Sequence, residues 1–237
     1  MAINAAHPHL FRAAAGLTGP LTVVLFGCGL LFGDLLGTSN FPPIDASAGV
    51  LRRYVAENPL EVRGLSFFHQ LAALALLTFA VVLSTRLHRA APSCWGRALV
   101  VAAAGTLAAA FLLLSALSYR VLALPSIAGD PDVGRAILVL SYLAGGPALA
   151  APLGLLEIAA ASLALRGVLL PRWLGWLGIV AGAISLLSTL YLFSSLDNRS
   201  WLYAVLLLGA VLSLAWIFLA GIVLALPPRR PAAAPAT

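Results

Sequence analysis

The chain has 237 residues, of which 62% are apolar and 9% charged, with a mean hydropathy of +1.02 and a net charge of +6. Soluble domains run about 45–50% apolar and about 25% charged, so a soluble globular domain, a disordered chain and a disulfide-stapled secreted domain are all excluded. What remains is an all-α, polytopic transmembrane bundle. All 14 basic residues are Arg and sit mostly at the edges of apolar runs. That placement is a topology signal rather than a basic nucleic-acid surface, so no nucleic-acid partner is expected.

Cutting the chain at its charges predicts six spans within residues 1–226, each with the roughly 20 apolar residues a crossing needs. The first, about 14–36, holds Cys28 and opens the G-x-x-x-G series Gly29, Gly33, Gly37, whose small residues let helices approach closely. It reads as a span and not as a cleaved signal. Cys28 and Cys94 are too few for a disulfide framework.

The loop from Thr38 to Gly64 is the one substantial connection. Asp45 is predicted to cap a short helix there, with Val50, Leu51, Tyr54 and Val55 on one face and Asn58-Pro59 as the stop. Arg52, Arg53 and Glu57 oppose that stripe, which predicts an amphipathic helix on the outer membrane surface or over the bundle.

The second span, about 65–86, carries His69, the one histidine expected inside the membrane, six residues or about 9 Å beyond Arg63. The third covers about 97–120. The fourth, about 135–166, is too long for a straight crossing: the 30 residues from Ala136 to Leu165 would extend about 45 Å against a core of about 30 Å. Gly145-Gly146-Pro147 and Pro152 predict a break. Each proline lacks an N–H, leaving the carbonyls of Leu143 and Ala148 without helical partners. Broken helices of this kind form substrate sites in transporters, although a packing kink is the commoner outcome.

Glu157, in the same span, is the only carboxylate deep in the hydrocarbon. A charged acid there costs roughly 2.5–3.5 kcal/mol, so it should face protein and be neutral or paired. The freed carbonyls are its expected partners. A contact with His69 is open if the second and fourth spans are neighbours.

The fifth span, about 173–196, contains the pair Gly178 and Gly182, and the sixth covers about 201–226. The Pro/Ala stretch 227–237 is predicted to be a disordered tail. Trp95, Trp173, Trp176 and Trp201 lie at run edges, where interfacial aromatics belong, and only Trp216 falls inside a run. With the N-terminus cytoplasmic, eight arginines fall inside and six outside, so both termini are expected in the cytoplasm.

Signatures of membrane enzymes are missing. The chain has no His-Glu-x-x-His, no phosphate-cradling G-x-x-x-x-G-K, and no second membrane histidine to share a haem. No cofactor, metal or catalytic set is therefore expected. Beyond lipids, the expected partner is another membrane protein or a second copy of the chain. The residues Leu170-Pro171-Arg172-Trp173-Leu174-Gly175-Trp176-Leu177-Gly178, followed by a Gly/Ala-rich span, resemble a recurrent feature of uncharacterised six-span membrane proteins of the domain of unknown function 4386 type. That resemblance implies a bacterial cytoplasmic membrane and no known activity. Two functions are held open. One is a structural or accessory membrane component. The other is a small-molecule or proton-linked carrier built on the broken fourth helix and Glu157.

Overall fold

The computed structural model describes residues 14–36, 41–194 and 200–226, with only the backbone helix described for 33–36. Gly37, Asp197, Arg199 and the 227–237 tail lie outside the described residues, as do the surroundings of Gly33 and the side chain of Asp34. Every regular element among the described residues is helical. In chain order these are α1 (Thr18–Leu36), α2 (Ala48–Glu57), α3 (Pro59–Ala90), α4 (Trp95–Leu122), α5 (Pro125–Gly129), α6 (Pro131–Gly145), α7 (Pro147–Ala164), α8 (Arg172–Leu187) and α9 (Trp201–Ala225). Short 3₁₀ turns at Pro92–Cys94 and Ser188–Phe193 extend α4 and α8.

Five stretches are long and apolar enough to cross a membrane: Pro59–Ala90, Pro92–Leu122, Pro131–Ala164, Arg172–Phe193 and Trp201–Ala225. The apolar stretch described in α1, Thr18–Phe32, is shorter.

Two boundaries differ from the sequence expectation for local reasons. The cap of α2 is Ser47 and not Asp45. Ser47 has extended backbone, and its hydroxyl accepts the Val50 N–H at 3.4 Å. Asp45 is two residues too early to reach that donor and lies exposed in a turn. Pro59 both stops α2 and starts α3, because proline is pre-set for the first helical position, where its missing N–H costs nothing. The helix therefore begins six residues before the expected span, and those residues bury Glu61 and Val62.

Glycines set the helix crossings. Gly105 places α4 between α3 and α7: a methyl there would fall on Ala80 Cβ and 2.9 Å from Leu156 Cδ1. Gly154 of α7 and Gly182 of α8 oppose each other so closely that a Cβ on either would lie 2.7 Å from the other's carbonyl oxygen. Gly178 accommodates Trp216, whose indole N–H donates to the Leu174 carbonyl at 2.9 Å. At the far end of α9, Gly221 meets Gly16, Gly19 and Pro20 of the α1 segment.

Around these crossings lies a filled apolar core that includes Phe79, Leu83, Val101, Leu156, Leu163 and Trp216. A second cluster seats α2 on the opposite end of the bundle through Leu51, Tyr54 and Val55 against Val62, Tyr119 and Leu138. Trp95, Trp173, Trp176 and Trp201 are exposed, whereas Trp216 is fully buried.

A candidate ligand cavity at the helix break

The long fourth run is two helices. α6 ends at Gly145 and α7 restarts at Pro147. Gly146 still donates to the Tyr142 carbonyl at 2.9 Å, and its own carbonyl accepts from Ala150 at 2.9 Å. Pro147, lying between those two donors, has no N–H to offer Leu143. The break falls at Gly145-Gly146-Pro147, and Pro152, read together with them, sits inside α7. The chain has already restarted five residues earlier, so Pro152 removes a single bond, the one to Ala148, without ending the helix.

The absence of a side chain at Gly145 lets α6 close on α4, where a Cβ would come within 2.6 Å of Ser115 Oγ. Ser115 donates to the Ser141 carbonyl at 2.9 Å, and Ser141 donates to the Leu138 carbonyl at 2.7 Å. Both hydroxyls are spent on carbonyls of α6 just before the break.

Beside this break is a cavity of about 300 Å³, at the lower end of the range for small-molecule sites. Ser115, Tyr119, Ser141 and Tyr142 form one wall, with Gly145 and Gly146 at the break itself. Leu149, Ala150 and Leu153 continue it along α7. Tyr203, Leu206 and Ser213 of α9 face them, and Thr22, Phe26 and Leu30 of α1 form another side. His69, Tyr191 and Ser185 supply further polar groups. None of the lining residues is an acid, an arginine or a lysine.

His69 is 4% exposed. Its ring lies flat on Phe26, with centroids 4.6 Å apart and planes 7° from parallel, and edge-on to Tyr119 at 6.4 Å. Gly29 packs against the same ring. The Phe26 backbone approaches the imidazole, but neither ring nitrogen makes a hydrogen bond of acceptable geometry.

Glu157 is fully buried, with its Cβ against Gly182. Neither carboxyl oxygen has a hydrogen-bond partner. The nearby Ser213 hydroxyl is engaged with Ser185 at 2.9 Å. The expected bonds to freed carbonyls are therefore not made. No hydrogen bond or ion pair joins Glu157 to His69 either, because α4 stands between their helices. Glu157 is behind the cavity, with Ser185 and Ser213 presented to it instead.

The sequence pointed to His69, Gly145 and Gly146, all of which line the cavity, and to Pro147, Pro152 and Glu157, which do not. It missed the tyrosines and the serines. A usable signal was present in Ser115 and Tyr119, one helical turn apart on one face and both inside an apolar run. Among the described residues no three His, Cys, Asp or Glu side chains gather as a metal would require.

No protein-family model, curated protein or solved structure matches this chain. The functional reading therefore rests on the site itself.

Proposed function

We propose that the protein is a six-span integral protein of the bacterial cytoplasmic membrane that binds a small molecule in the cavity at the helix break. The observation that carries this reading is a cavity of about 300 Å³ whose apolar wall also holds the hydroxyl-bearing side chains of Tyr119 and Tyr203. Small-molecule sites are built in this way, as apolar walls with a few placed polar groups.

In this reading α1 is the first span, and both termini face the cytoplasm. α2 is then an outer helix lying over the bundle. The excess of arginines at the cytoplasmic ends supports the orientation. Cysteines introduced at Val50 and at Ala232 should be labelled by a membrane-impermeant maleimide from opposite sides. Labelling of both from one side would overturn the topology.

The binding reading has its own test. With Cys28 and Cys94 replaced by alanine, Ala150→Cys, on the cavity wall, should react with methyl methanethiosulfonate in the folded protein, whereas Ala160→Cys, in the filled core, should not. Equal protection of the two thiols would mean a solid bundle. The accessory-component reading would then be preferred, and the close packing around Phe79, Leu156 and Trp216 is what favours it.

A further inference from the structure

Resting on that binding reading, we infer that the cavity takes its ligand sideways from the bilayer, through a slot between α1 and α9, and that the ligand is a neutral amphiphile with a hydroxyl or carbonyl head. Three observations lead there.

The slot is visible in residues that both line the cavity and face outward. Leu30 is 49% exposed, Leu207 49% and Val211 62%. Lining residues this exposed, where most of the wall is buried, mark the open side of the cavity. Leu207 and Val211 are six and ten residues beyond Trp201, about 9 and 15 Å along α9 by helix rise. That depth lies within the hydrocarbon when Trp201 marks the interface. At their other ends the same two helices touch backbone to backbone, where a Cβ on Gly19 would lie 2.7 Å from the Ile217 carbonyl oxygen. The pair is thus closed at one end and parted at the other.

Among the described residues, side chains cover both ends of the cavity. At the α2 end, Phe41 wedges between Tyr54, Tyr119 and Tyr142, with ring centroids 5.3, 5.4 and 6.3 Å away. Tyr142 fastens this cover by donating its hydroxyl to the Pro42 carbonyl at 2.9 Å. At the opposite end Ile217, 1% exposed, meets the filled core around Trp216 and Phe79.

The lining defines the ligand. With no arginine or lysine in the wall, a phosphate head would be desolvated without a counter-charge, which is prohibitive at this depth. Neutral hydroxyl-bearing side chains are present instead: Tyr119 and Tyr203 both line the space. A cavity of about 150 Å³ holds one benzene, so this one takes a head group and a short length of chain. The remainder of the chain lies in the slot.

The test uses the full chain with Cys28 and Cys94 replaced by alanine and Ala150→Cys introduced, in phosphatidylethanolamine–phosphatidylglycerol liposomes. Hexadecyl methanethiosulfonate, which dissolves in the bilayer, should modify the thiol about tenfold or more faster than the charged sulfonatoethyl reagent. Val211→Trp puts a large ring in the mouth without touching the core, and should slow the hexadecyl reagent about fivefold. The small methyl reagent should be unaffected by it. Hexadecanol should protect the thiol from the methyl reagent, and hexadecyl phosphate should not.

A sulfonatoethyl rate equal to the hexadecyl rate would establish an aqueous route and overturn the inference. So would a hexadecyl rate indifferent to both Val211→Trp and Leu207→Trp. Protection by hexadecyl phosphate, or none by hexadecanol, would overturn the ligand class. In each of these cases reaction with the methyl reagent shows that the cavity itself stands. If the methyl reagent also fails, the binding reading falls together with the slot.

Discussion

Replacing Glu157 with leucine is expected to leave the bundle at least as stable as the native chain, and up to about 1–3 kcal/mol more stable, the range for an unsatisfied buried polar group. The acid is fully buried and both of its oxygens lack partners. Removing a polar group normally costs stability by stranding whatever bonded to it. Here nothing is stranded, because Ser213 is already engaged with Ser185. Leucine also suits the neighbours, which include Leu156, Ala160 and Ala161, all buried. Glu157→Gln should show no gain, since the amide is equally polar and equally unpaired. Thermal unfolding of the three proteins in one detergent gives the order. Leucine melting well below wild type would mean that the carboxyl is hydrogen-bonded in the folded protein. That outcome would also restore the expectation, drawn from the sequence, that the helix-break carbonyls are its partners.

That expectation illustrates which parts of the molecule could be read in advance. The helical runs and the break at Gly145-Gly146-Pro147 follow from composition and backbone chemistry, which act within a few residues of one another. Proline cannot donate, glycine tolerates the reset, and apolar length measures itself against a bilayer. The position of Glu157 within a run was likewise legible. Its surroundings were not, because they depend on which helices are neighbours. α4 separates His69 from Glu157 only because Gly105 admits Ala80 on one side and Leu156 on the other. Nothing local to His69 or Glu157 encodes that.

The same holds for the cavity. Its tyrosines come from α4, α6, α9 and the 3₁₀ turn after α8, and read singly each resembles an interfacial aromatic. The glycine spacing was similarly incomplete. Gly178 and Gly182 do lie at close contacts. The approach of α1 to α9, however, uses Gly16, Gly19 and Gly221, which share no short motif and meet only in the folded chain.

Gly221→Ala should accordingly be one of the most damaging small substitutions in the protein. The added methyl would land on Pro20 Cδ, 2.9 Å from the Gly16 carbonyl oxygen and 3.0 Å from Gly19 Cα. Two of those three atoms are backbone and the third belongs to a rigid ring, so no rotamer change relieves the overlap. Overpacking of this kind costs about 1–3 kcal/mol, and relief requires α1 to move off α9. Gly27→Ala provides the control on the same helix. A methyl there meets nothing within 4 Å, and alanine is favoured over glycine in a helix by up to about 1 kcal/mol. It should melt at or slightly above the native temperature. The two variants should also part company at the cavity. Because α1 and α9 form both the clamp and the mouth, prying the clamp apart should widen the slot and speed hexadecyl modification of Ala150→Cys, with no such change for Gly27→Ala. Equal melting of the two variants would mean that the helices are not clamped at Gly221. Destabilisation without faster modification would mean that the clamp holds the fold together without setting the width of the mouth.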